Sequence, residues 1–147
     1  MPVRVCVLAH GKGLPLPSKA TPGSSGVDLR AAVAGTVTIP PGGRALIPTG
    51  IRVEVPSGWE WQVRPRSGLA ASSGITVLNA PGTVDSDYRG EVRVILVNLG
   101  ESEATISRGD RIAQAVLCPV GEPDIIEAGE LPGSDRGDGG FGHSGLF

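Results

Sequence analysis

Cysteine, histidine and aromatic side chains are scarce in this chain of 147 residues: two Cys, two His, two Trp, two Phe and one Tyr. Cys6 and Cys118 lie in separate apolar stretches. No CxxC pair or close Cys/His cluster points to zinc or to a redox pair, and both thiols are expected to be buried. His10 and His143 stand far apart in sequence, which argues against a His-based transition-metal site. An excess of basic charge is missing too. The formal net charge of -2 lacks the footprint of a protein that binds nucleic-acid polymers by counterion release, although a single charged nucleotide stays open. No apolar run approaches the roughly 18 residues of a membrane span. The start, MPVRVCVLAHGKG, has no continuous signal-peptide core. The expectation is a soluble, cytoplasmic protein with no membrane partner.

Glycine and proline, by contrast, are abundant. With Gly 23 and Pro 13 they occupy about a quarter of the positions, roughly twice average usage, which excludes long helices. A hydrophobic fraction of 39% suffices for one compact core. Short runs rich in Val, Ile and Leu recur between Gly/Pro clusters, the pattern of an all-β sandwich or jelly roll. The expected strands are Val3–Leu8, Val27–Ala32, Thr36–Ile39, Arg44–Val55, Trp59–Arg64, Ile75–Leu78, Glu91–Asn98 and Arg111–Val120, with Asp124–Ile126 as a last short one. In Glu91–Asn98 the charged Glu91 and Arg93 alternate with Val92 and Val94, and both faces then turn apolar at Ile95, Leu96 and Val97. Such a strand leaves solvent and enters a core or interface. One short helix is expected over Ser67–Ser73, with Ser67 as cap and Gly74 as terminator.

Two phosphate-loop patterns are near misses. His10-Gly11-Lys12-Gly13 lacks the spaced first glycine and the Ser/Thr after lysine of a Walker A loop. Gly137, Gly139 and Gly142 satisfy G-x-G-x-x-G, but no strand–helix unit surrounds them. The glycine-rich stretch 129–147 has almost no apolar periodicity and cannot build a core, so a domain over 1–128 followed by a flexible tail is expected.

Five segments carry chemistry. Arg64-Pro65-Arg66-Ser67-Gly68-Leu69 places cations and a hydroxyl at a helix start, where everything attracts an anion, although a solvated turn before a capped helix fits as well. Asn79-Ala80-Pro81-Gly82-Thr83-Val84-Asp85-Ser86-Asp87-Tyr88-Arg89-Gly90-Glu91 reads as a turn-rich hairpin. There Asp85 is either a general base, a metal ligand or a turn residue using its local hydrogen-bonding habit. Ser25-Gly26-Val27-Asp28-Leu29-Arg30-Ala31-Ala32 and Gly109-Asp110-Arg111-Ile112-Ala113-Gln114 each offer one polar residue, Asp28 and Gln114, that alone reads as structural. Phe141, set among glycines in Arg136-Gly137-Asp138-Gly139-Gly140-Phe141-Gly142, has no local core to join and could stack on a nucleobase.

In order and spacing these five segments resemble the five motifs of the trimeric deoxyuridine triphosphate nucleotidohydrolases, the dUTPases, over about Val3 to Gly145. The resemblance implies a distorted β jelly roll with one short helix, assembled as a homotrimer with a swapped C-terminal tail. It also implies magnesium-assisted hydrolysis of dUTP to dUMP and pyrophosphate, which limits uracil in DNA and supplies dUMP for thymidylate synthesis. By resemblance, Asp85 takes the place of the general base that activates water, and Tyr88 that of the aromatic against deoxyribose. Arg66, Ser67 and Gly68 match the phosphate-binding segment, and Asp28 and Gln114 match residues that hold magnesium through its waters. Asn79, Thr83, Val84 and Arg93 match the uracil-reading hairpin. Arg136 and Phe141, with Gly142 and Ser144 beside them, match the tail that clamps the γ-phosphate and covers the base. His143 stands where the family usually has serine. The alternatives are a deoxycytidine triphosphate deaminase of the same fold, a bifunctional form, and a non-catalytic nucleotide-binding module.

Overall fold

A computed structural model of the chain describes residues 1–146. The strands are β1 (Arg4–Val7), β2 (Val27–Arg30), β3 (Val37–Ile39), β4 (Arg44–Glu54), β5 (Trp59–Arg64), β6 (Ile75–Val77), β7 (Gly82–Val84), β8 (Glu91–Asn98), β9 (Ala104–Ile106) and β10 (Arg111–Pro119). Among the described residues one α-helix, α1, spans Ser67–Ser73, and a 3-10 turn covers Ala9–Gly11. All pairings are antiparallel, in two four-stranded sheets ordered β1-β4-β8-β6 and β2-β10-β5-β7 and a small β3-β9 sheet. This is the expected all-β jelly roll with one short helix.

One core lies between the sheets. Ile47, Val53, Val92, Val94 and Leu96 face it from the first sheet, Leu29, Trp61, Val63, Val84 and Ala115 from the second, and Ile39 and Ile106 from the third. Period-2 burial in β8 follows the sequence pattern: Val92, Val94 and Leu96 are inside and Arg93 is outside, until Val97 and Asn98 are buried as well. Each large aliphatic buried this way contributes about 1.5–3 kcal/mol. Asn98, fully buried, donates to the carbonyls of Ile39 and Ser102 and accepts from the Gly100 N–H, fastening the small sheet to β8 with its polar atoms paired.

Several expectations need correction. Cys6 is exposed because β1 is an edge strand that turns only Val5 inward, and Cys118, on β10, is half-buried. Asp124–Ile126 forms no strand, and Ile125 and Ile126 are 89% and 81% exposed. Strands β7 and β9, three residues each, escape the sequence reading because each buries too few apolar side chains to show a period. Finally, the cap of α1 is Arg66, with no side-chain capping bond, and Ser67 is the first helical residue. The Arg66 carbonyl accepts the first helical bond from Ala70 while its side chain is held elsewhere. Gly74 does terminate the helix, at a φ of 68° that favours glycine.

Candidate active site

The sheet β2-β10-β5-β7 carries the polar constellation. Cross-strand register sets Asp28, Gln114 and Arg64 in one row, and Gln62 and Thr83 in the next. Asp28 is the hub of that row. Its two carboxylate oxygens lie 3.2 Å from the Arg66 Nε and 3.2 Å from the Arg111 Nη1. Arg66 also reaches the Arg111 carbonyl at 3.3 Å. Gln114 donates its side-chain amide to the Pro65 carbonyl at 3.0 Å. That leaves its Oε1 as an acceptor, 2.6 Å from where a Cβ on Gly26 would fall, so a larger residue at 26 would displace the Gln114 amide. The phosphate-segment residues Ser67 and Gly68 are exposed at the start of α1, where the first N–H groups have no intrahelical partner.

Arg111 was quoted in the sequence segment without a role. It stands three positions before Gln114, and a regular strand would put the two on opposite faces. A bulge between Arg111 and Ala113 brings them to the same face, so the missed residue is a product of register.

The hairpin is built differently. β7 pairs with β5 through Gly82, Thr83 and Val84, and the side chain of Asn79 lies beside Gly82. Val84 is a core residue, so only its backbone is available to a ligand, while Thr83 is exposed. After β7 the chain turns, and the turn is closed by main chain: the Tyr88 N–H donates to the Asp85 carbonyl at 3.2 Å. Arg89 donates to the Ser86 and Tyr88 carbonyls at 2.7 and 2.9 Å. Among the described residues the exposed Asp85 carboxylate takes no hydrogen bond or ion pair, so it does not close the turn as an Asx residue would. The Tyr88 hydroxyl donates to the Glu91 carbonyl at 2.9 Å.

Glu91 is a second residue that sequence reading missed. Its carboxylate accepts the Gly50 N–H at 2.9 Å, meets His10 Nε2 at 2.5 Å and lies 3.4 Å from Arg93 Nε. Burial pushes this carboxyl up, but the hydrogen bonds with His10 and Gly50, together with the charges of His10 and Arg93, outweigh it and hold the group below its ordinary value. No local pattern links positions 10, 50 and 91, so only the folded chain reveals the contact.

The tail stays apart. Arg136 donates to the Gly139 carbonyl at 2.7 Å, Gly137 bonds back to Ser134, and Gly145 bonds back to Gly142. Phe141 is fully exposed at a φ of 50°, and Gly142 and Ser144 are exposed beside it. The fold thus gathers Asp28, Arg66, Arg111 and Gln114 in one cluster and Asn79, Thr83, Asp85 and Tyr88 along one hairpin. It brings Arg136 and Phe141 to neither.

Comparison with known proteins agrees with this architecture. Residues 12–145 match the family model for dUTPase. The deoxyuridine 5'-triphosphate nucleotidohydrolase of Neorickettsia sennetsu is 56% identical over 142 residues, covering 97% of this chain and 95% of the relative. That of Brucella melitensis is 56% identical over 140 residues, covering 94% and 89%. Among solved structures, the Staphylococcus bacteriophage 80alpha dUTPase with dUPNHPP superposes with a TM-score of 0.85 at 26% identity, covering 99% of each chain. The family model, relatives 56% identical over nearly the whole chain, and the structural superposition converge, and the chain belongs to the dUTPase family.

Proposed function

We propose that this protein hydrolyses dUTP to dUMP and pyrophosphate. The observation that carries the reading is the Asp85 carboxylate, exposed and free of local bonds at the end of β7 in a chain of this family. A carboxylate in that state can take a proton from water. The water oxygen attacks the α-phosphorus in line, the bond from that phosphorus to the bridging oxygen breaks, and pyrophosphate leaves while the proton rests on Asp85. Arg66, Ser67 and Gly68 supply phosphate donors, with the Arg66 guanidinium held in place by Asp28. Tyr88 stands against the deoxyribose, Asn79, Thr83, the Val84 backbone and Arg93 read uracil, and Arg136, Phe141, Gly142 and Ser144 close over the nucleotide.

The residues present suit magnesium held through water. One carboxylate, already balanced by two guanidinium groups, and one free amide oxygen are too few for a protein cage; they are apt for hydrogen bonds to metal-bound waters. When bound, magnesium supplies charge neutralisation on the phosphates. The Gln114 Oε1, oriented by the bond to Pro65, and Asp28 would hold its waters.

The assembly we infer is a homotrimer in the cytoplasm whose tail, 129–147, completes the site of a neighbouring copy. A Phe141 left fully exposed among the described residues supports this reading. Release of pyrophosphate and of ammonia from dUTP, dCTP, dTTP and UTP, measured with magnesium, tests the activity. Pyrophosphate from dUTP alone is expected. Ammonia from dCTP with dUTP untouched would overturn it in favour of a deaminase, and no turnover at all in favour of a binding module.

A further inference from the structure

The turn His10-Gly11-Lys12-Gly13 is distant in sequence from every residue assigned to the reaction. Its surroundings give it a task. Gly11 is buried, and a Cβ on it would collide with the Gly50 backbone, while a Cβ on Gly50 would collide with Gly11 in return. Gly50 also has a φ of 70°, in the left-handed region. Two glycines in backbone contact therefore seat the turn on the irregular stretch of β4 between Pro48 and Arg52. Arg108 holds it from the other side, donating to the His10 carbonyl at 2.7 Å and the Lys12 carbonyl at 2.8 Å. A turn fixed in this way aims one side chain, His10, at Glu91.

Glu91 is the first residue of β8 and follows the Asp85–Gly90 turn directly. Its side chain is only 10% exposed, whereas Tyr88 is 43% exposed. The Tyr88 phenol ends on the Glu91 carbonyl, and the Glu91 side chain is pinned by His10 and by the Gly50 N–H. A continuous line of contacts thus runs from Arg108 through His10 and Glu91 to Tyr88.

We propose that His10 is a positioning residue for sugar selection: through Glu91 it fixes the carbonyl that holds the Tyr88 phenol, and with it the wall that meets the 2′ position of the nucleotide. The proposal rests on the reading of Tyr88 as that wall. A wall rejects an added hydroxyl only if it cannot retreat, because a loosened aromatic yields the space a 2′-hydroxyl needs.

The test uses the full-length protein and the ratio of kcat/KM for UTP to that for dUTP. His10→Ala is expected to raise this ratio about 3- to 30-fold, part of the discrimination a single pocket contact supplies, with the dUTP KM rising more than kcat falls. His10→Gln keeps an N–H donor and should return the ratio to within about twofold of the wild type. Added to Tyr88→Ala, His10→Ala should raise the ratio no further, since the two act through one wall. If His10→Ala does not fold, His10→Asn, whose shorter amide stops short of Glu91, replaces it. A His10 variant that lowers the melting temperature yet leaves the ratio and KM unchanged would reduce His10 to a brace and overturn the proposal. An unchanged ratio in Tyr88→Ala would instead remove the reading of Tyr88 itself, and the proposal with it.

Discussion

The side chain of Gln114 on β10 is tied to the carbonyl of Pro65, one residue before the Arg66 cap of α1, by a hydrogen bond of 3.0 Å. The inferred water-holding position and the start of the phosphate segment are therefore mechanically one unit. Gln114→Ala is expected to raise the magnesium concentration for half-maximal activity and to lower turnover about tenfold. The lost hydrogen bond should cost only about 0.5–1.5 kcal/mol of stability. Activity titrated against magnesium, beside a urea unfolding curve, separates the two effects.

The Asp85 side chain makes no hydrogen bond or ion pair among the described residues, and its backbone carbonyl, which closes the turn, is untouched by substitution. Asp85→Asn should leave stability within about 0.5 kcal/mol of the wild type. Turnover of dUTP should fall by about 10²- to 10⁴-fold, the usual contribution of a positioned general base. Single-turnover kinetics together with binding of a non-hydrolysable dUTP analogue check both halves; near-normal turnover would make Asp85 a turn residue only.

Acid stability should carry the signature of Glu91. Its carboxyl is held below the ordinary value of 4.5 in the folded protein, so the folded state favours the charged form. The stabilisation is fully present above about pH 4.5 and is lost as the pH falls through the lower folded value. His10 faces this group from the Ala9–Gly11 turn and Arg93 from β8. Glu91→Gln should lower the urea midpoint at pH 7 and flatten its decline below about pH 4.5. A wild type and variant with parallel acid limbs would contradict this. Glu54 is also held low, by Arg4, but this pair lies at the surface where solvent screens it, so Glu54→Gln should change the acid limb less.

Sharing of the site between chains is open to a mixing experiment. Chains carrying Asp85→Asn and chains truncated before Arg136 should each form inactive assemblies. Co-expressed in equal amounts, they should regain about a quarter of the sites, because hairpin and tail would be drawn at random from different chains. Activity no greater than that of either pure variant, with mixed assemblies verified by mass, would refute the shared site.

Much of the site was legible as motif. Asp28, Arg66, Asp85 and Gln114 stand in segments whose order and spacing resemble the dUTPase motifs, and the structure joins three of them into one cluster. Arg111 was not legible in its role, since only the bulge in β10 turns it toward Asp28. Glu91 looked like an alternating surface charge, and nothing local announces the His10 and Gly50 groups that enclose it.

The sequence by itself determined what depends on neighbours along the chain: period-2 strands such as β8, the stop of α1 at Gly74, and a tail too rich in glycine to pack. These follow from backbone sterics and side-chain periodicity, which act over a few residues. Tertiary structure alone decided what depends on register between distant segments. It exposed Cys6 on an edge strand, paired β9 with β3, turned Arg111 by a bulge, and brought His10 of the first turn against Glu91 of β8. A one-residue slip in pairing reverses every side chain of a strand, so such contacts exist only once the sheets have closed on their common core.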